Sequence, residues 1–148
     1  MPDASSSDTS SSDTSSSGMV CRAYAAFNRG DAPALAELLA DNVVLRQPGA
    51  LGGEYHGVEA VLGFYDRLAS ETHGTIRCEL QRVMTSDDRV VAVHKATGRR
   101  HGRLLDTAAA LVVQVRGGRA VAIDICQEDQ EAWDAFWSQP SATERTAE

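Results

Sequence analysis

The folded stretch opens on MVCRAYAAFNRGD, in which Val20, Tyr24 and Phe27 recur at helical spacing. A helix is predicted from Met19 to the stop Asn28-Arg29-Gly30, with Gly30 suited to the left-handed position that closes it. Asp31 then reads as an N-cap and Pro33 as a first-turn residue of a second helix. That helix turns Leu35, Leu38 and Leu39 inward and stops near Asp41-Asn42. NVVLRQPG reads as a short strand closed by Pro48-Gly49, and ALGGEYHG as a loop. VEAVLGFYDRLAS keeps the 3.6-residue period through Val58, Val61, Leu62, Tyr65 and Leu68, a third helix. From Thr75 the period becomes two. Strands are predicted around Ile76-Leu80, over RVVAVHKATG, over DTAAALVVQV and over AVAIDIC, separated by turns at Ser86-Asp87-Asp88, RHGR and RGGR. The last element, DQEAWDAFW, carries Asp129 as a candidate N-cap and Trp133, Phe136 and Trp137 as an apolar stripe.

Helices first, then a run of strands, is the α+β pattern. A cone-shaped, curved antiparallel sheet wrapped around three N-terminal helices is expected, with a hollow between the layers. Residues 1–18 contain DTSSS twice and almost no apolar side chains, so they cannot offset the entropy of ordering. They read as a disordered tail; a translation start at Met19 would leave it out. The domain is expected over residues 19–138, with a second polar tail over 139–148.

The chain has 148 residues, enough for one domain with a real core. Its 14 basic and 21 acidic residues leave a net charge of −7, the opposite of the footprint expected for nucleic acid or anionic membrane. The cluster Arg99, Arg100, Arg103 reads as a solvated hairpin tip. Cys21, Cys78 and Cys126 are far apart and odd in number, which argues against a zinc site or a disulfide framework. Cys78 and Cys126 are expected as small buried hydrophobes. No stretch approaches a membrane span and no signal peptide is evident, so a cytoplasmic location is expected.

One residue breaks the hydrophobic pattern. In RVVAVHKATG, one alternating set is Val90, Ala92, His94, Ala96 and Gly98; the other is Val91, Val93, Lys95, Thr97 and Arg99. The first set is small, and the next strand offers Thr107, Ala109, Leu111 and Val113. Small side chains leave room above a sheet. His94 is therefore expected to point into the hollow, either as a proton-transfer group, since imidazole titrates near neutrality, or as a neutral core residue with a satisfied hydrogen bond. His56 reads as a loop or capping residue, and His73 and His101 as turn residues. The four histidines lack metal-ligand spacing, and no metal is expected.

The segments AYAAFNRGDAPALAELLADNVVL, YHGVEAVLGFY and VRGGRAVAIDICQEDQEAWDAFW resemble the nuclear transport factor 2-like superfamily, and within it the SnoaL-like polyketide cyclases related to ketosteroid isomerase. The resemblance covers residues 19–137. It implies a conical α+β fold, commonly a homodimer, that holds a hydrophobic small molecule without a cofactor. The isomerase's catalytic aspartate falls on Gln47, its helix-one tyrosine on Ala23 beside Tyr24, its second aspartate on Leu111, and its helix-three tyrosine on Tyr65. The aspartate of SnoaL-type cyclases falls on Ile125, with Asp124 facing away.

Alternation and the resemblance together give the expected pocket. His94, Tyr65 and Gln47 are the candidate catalytic residues; Tyr24, Leu45, Phe64, Leu111, Ile123, Ile125, Gln127 and Asp129 are the candidate substrate contacts. The expected activity is cofactor-free cyclisation or isomerisation of a hydrophobic polyketide- or terpenoid-like substrate in secondary metabolism. The rivals are a non-catalytic ligand-binding or dimerisation module and an epoxide-opening enzyme.

Overall fold

The computed structural model describes residues 16–138. The expected tails over residues 1–15 and 139–148 lie outside the described residues. Helix α1 is Ser16–Asn28, α2 Ala32–Ala36, α3 Val58–Glu71 and α4 Gln130–Ser138. The strands are β1 Leu39–Gln47, β2 Gly53–His56, β3 Arg77–Ser86, β4 Arg89–Arg100, β5 Arg103–Arg116 and β6 Arg119–Gln127. They form one sheet in the order β2-β1-β6-β5-β4-β3.

The α+β architecture is as expected, with four corrections. The sheet is mixed, because β1 runs parallel to β6 while every other pair is antiparallel. Helix α2 ends early: the Leu38 carbonyl accepts from Ala120 N–H at 2.9 Å, so Leu39 begins a strand instead of another helical turn. Within the expected loop ALGGEYHG, Gly53–His56 is the edge strand β2, held by β1 with Leu45 opposite Tyr55. Helix α1 also starts before Met19 and takes in Ser16–Gly18.

Local chemistry explains the joints. Asp31 caps α2 by accepting from Ala34 N–H at 3.1 Å. Gly117 and Gly118 both have positive φ, which the two-residue turn between β5 and β6 needs for the strands to keep their twist. Asn28 does more than end α1. Its amide donates to Cys78 O and accepts from Cys78 N–H, both at 2.8 Å, so it takes the place of a neighbouring strand and ties α1 to β3. Asn28→Ala removes both bonds and leaves a half-buried peptide unpaired. A loss of about 1–3 kcal/mol is expected, read as a lower urea midpoint at unchanged slope.

The core lies between the helices and the inward face of the sheet. Successive rows across the strands are set by register: Val90 is opposite Val113, Val113 opposite Ile123, and Ile123 beside Leu45. All four are buried. The apolar stripe of α4 is also core, with Trp133, Phe136 and Trp137 buried. Two sequence expectations fail nearby. Arg100 is not a solvated tip residue: its side chain is 10% exposed, donates to Glu71 Oε1 at 3.1 Å and to Phe136 O at 3.0 Å, and stacks against Trp137. Cys126 is exposed on the outer face, while Cys78 is buried.

Candidate functional site

A cavity of about 620 Å³, its open mouth included, lies between the helices and the inward sheet face. Its floor follows from register. In the row next to Val90–Val113–Ile123–Leu45, Ala92 faces Leu111 and Leu111 faces Ile125. In the row after that, His94 faces Ala109 and Ala109 faces Gln127. The first row is core. In the next two, Leu111, Ile125, His94 and Gln127 line the cavity, with Ala92 and Ala109 buried beside them.

Of the candidates, His94, Tyr65, Gln47, Tyr24, Phe64, Leu111, Ile125 and Gln127 all line this cavity. Three lie elsewhere. Leu45 and Ile123 face inward but belong to the core row. Asp129 is exposed and caps α4, accepting from Ala132 N–H at 3.0 Å. Asp124 faces outward, where it pairs with Arg46 at 3.4 Å. Sequence reasoning missed Trp133 as a wall, although the stripe on α4 marked it as inward, and gave no role to Cys78 or Phe27 beside the site.

His94 has a defined partner. Tyr24 Oη lies 2.6 Å from its Nδ1, and the two rings meet edge to face. Both sit in an apolar setting that taxes charge. Burial pushes the His94 imidazole down to about 4 from its ordinary 6.5, so it is neutral at pH 7. Burial, with smaller contributions from Cys78 and Tyr65, holds the Tyr24 hydroxyl far above the usual phenol range, so it keeps its proton. No other hydrogen bond engages Tyr24 Oη among the described residues. With both groups neutral, the contact is made either by Tyr24 O–H donating to Nδ1 with the ring hydrogen on Nε2, or by Nδ1–H donating to Tyr24 Oη; we take the first as the resting arrangement.

The remaining groups are also uncharged. Burial pushes the Cys78 thiol up to about 12, which removes it as a nucleophile at neutral pH. Burial likewise raises Tyr65, leaving its hydroxyl a donor, and its ring is packed against Phe27 and Phe64. Among the described residues, no carboxylate lines the cavity. The pair Gln127–Gln47 joins β6 to β1.

The buried neutral imidazole has a consequence for stability. Between pH 6.5 and about 4 the unfolded chain binds a proton at this position and the folded chain does not. Stability therefore falls as pH drops through that window, by up to about 3 kcal/mol. In urea titrations at pH 7 and pH 4.5, wild type should lose more stability than His94→Gln.

The SnoaL-like domain model matches residues 20–123. This chain is a member of the SnoaL-like family. An uncharacterized protein of Mycobacterium tuberculosis H37Rv is 34% identical to this SnoaL-like protein over 123 residues, which is 81% of this chain and 94% of that one. Among solved structures, Bal32a from a soil-derived mobile gene cassette is 37% identical, with a TM-score of 0.80 over 82% of this chain and 95% of that one. IdmH of Streptomyces antibioticus, described as a candidate polyketide cyclase, has a TM-score of 0.68 at 24% identity, over 76% of this chain and 91% of that one. The fold is that of the nuclear transport factor 2-like superfamily. No described helix of this SnoaL-like protein is long and apolar enough to cross a membrane.

Proposed function

We propose that this SnoaL-like protein carries out cofactor-free cyclisation or isomerisation of a hydrophobic polyketide-like carbonyl compound by acid–base chemistry. The carrying observation is the Tyr24–His94 pair, 2.6 Å apart and lining a cavity with no carboxylate among the described residues. The 2.6 Å contact suits either ring tautomer. When the ring hydrogen moves to Nδ1, that N–H donates to Tyr24 Oη, the tyrosine hydroxyl turns to the ligand, and Nε2 offers a lone pair. Nε2 then takes a proton from carbon, and the C–H electron pair enters an enolate. Tyr24 and Tyr65 donate to the developing oxyanion. The enolate carbon either recovers the proton at a new position, or attacks a second carbonyl, whose oxygen receives it.

An imidazole pushed down to about 4 is a weak base. Its substrate must therefore have a C–H bond already acidified by flanking carbonyl or aryl groups, which favours polyketide-like over plain terpenoid skeletons. Epoxide opening through a carboxylate has no such group among the described residues that line the cavity.

The test is α-proton exchange of 2-tetralone in D2O, followed by proton NMR. Its methylene is activated by a carbonyl and an aryl ring. The protein should accelerate exchange above buffer, and the rate should hold down to about pH 4, because His94 stays neutral there. Binding of 2-tetralone with exchange at the buffer rate would contradict the proposal and favour a carrier module.

We also propose a homodimer through the outer sheet face, where Val91, Val93, Ala110 and Val112 lie side by side and half-buried. Light scattering should give twice the 15.8 kDa chain mass. Val93→Lys should shift it to the monomer.

A further inference from the structure

The two glutamines at the edge of the cavity are ordered by a neighbour that has no choice of role. The Ala50 carbonyl can only accept, and it receives Gln47 Nε2 at 3.4 Å and Trp133 Nε1 at 3.1 Å. The Gln47 amide nitrogen is thus turned to Ala50 and its Oε1 to Gln127. Gln127 must answer with Nε2, which it does at 3.4 Å. Its own Oε1 is left over: buried, on a side chain that lines the cavity, and without a hydrogen-bond partner among the described residues. A buried acceptor with no donor is costly, and each such atom in a folded protein asks for a partner.

We infer that Gln127 Oε1 receives a hydroxyl of the substrate, so that the ligand is a carbonyl compound with a phenolic or enolic hydroxyl at its far end. This rests on reading the cavity as a site for hydrophobic carbonyl compounds, and it adds the second polar group. Geometry sets the spacing. His94, Ala109 and Gln127 share one row on adjacent strands, so the two polar residues are two strand spacings apart, about 10 Å between backbones. Ala109, small and buried, is the residue between them in that row. A flat ring system of that length lies with its carbonyl toward Tyr24–His94 and its hydroxyl toward Gln127.

The experiment compares binding of 2-acetylnaphthalene with that of its 6-hydroxy and 6-methoxy derivatives by calorimetry. Wild type should bind the hydroxy compound about tenfold more tightly than the parent and should not gain from the methoxy group, which cannot donate. Gln127→Met should bring the hydroxy compound level with the parent. Gln47→Met releases the Gln127 amide to turn its N–H inward, and should let the methoxy compound bind as well as the hydroxy one. Equal binding of all three by wild type, binding of none, or an undiminished hydroxyl preference in folded Gln127→Met would overturn the inference. The preference without tetralone exchange would retain it and remove the catalytic reading; exchange without the preference would do the reverse.

Discussion

His94→Gln is expected to slow 2-tetralone exchange by about 10²–10⁴-fold, the usual worth of a positioned base. Glutamine matches the imidazole in polarity and can still hydrogen-bond Tyr24, so the cavity should keep its shape and its affinity for the ligand. What it lacks is a group that can take a proton from carbon. The loss should therefore appear in the rate at saturation and not in binding. Tyr24→Phe is the companion test. It keeps the ring against His94 and removes only the hydroxyl 2.6 Å from Nδ1. If Tyr24 both orients the imidazole and donates to the oxyanion, this variant should lose about one to two orders of magnitude, and the double variant should be little worse than His94→Gln alone. Full activity in His94→Gln would remove the imidazole from the mechanism.

The largest expected loss of stability comes from Trp137→Ala. Trp137 is buried, meets Phe136 at right angles with ring centroids 4.8 Å apart, packs against Trp133, and lies under the Arg100 guanidinium. Removing it opens a cavity beneath α4 and takes away the ring that the guanidinium covers. A cost of about 3–5 kcal/mol is expected, measured as a fall in urea midpoint. Because Trp133 on the same helix walls the ligand cavity, binding of 2-acetylnaphthalene should weaken as well. Trp137→Phe should cost far less. It keeps most of the apolar volume and removes an indole N–H that has no partner among the described residues.

Periodicity carried the helical and strand identities because each element buries one face. It also carried the inward aim of His94, since Val90, Ala92 and Ala96 on the same side are all buried. Alternation gives the face of a strand but not the depth along it. Leu45 and Ile123 face the same way as Ile125, yet register puts them in the packed row beside Val113 and Val90. Partnership was likewise hidden. Nothing local marks β1 as parallel to β6, or Gly53–His56 as a strand, because both depend on pairing with distant or edge backbone. Tyr24 could be placed on an inward helix face, but its bond to His94 spans seventy positions and needed the fold. The direction of the glutamine pair is set by the Ala50 carbonyl, a backbone atom with no signature in the residue types.

The account turns on an imidazole kept uncharged and tied to a tyrosine inside an apolar cavity. Long-range proton–nitrogen correlation spectra of the histidine side chains, followed through a pH titration with His94→Gln used for assignment, read that state directly. The prediction is a His94 ring that stays neutral until about pH 4, with Nδ1 unprotonated and accepting a hydrogen bond and the hydrogen on Nε2 in the ligand-free protein. Titration of that ring near 6.5, as for an open histidine, would contradict it.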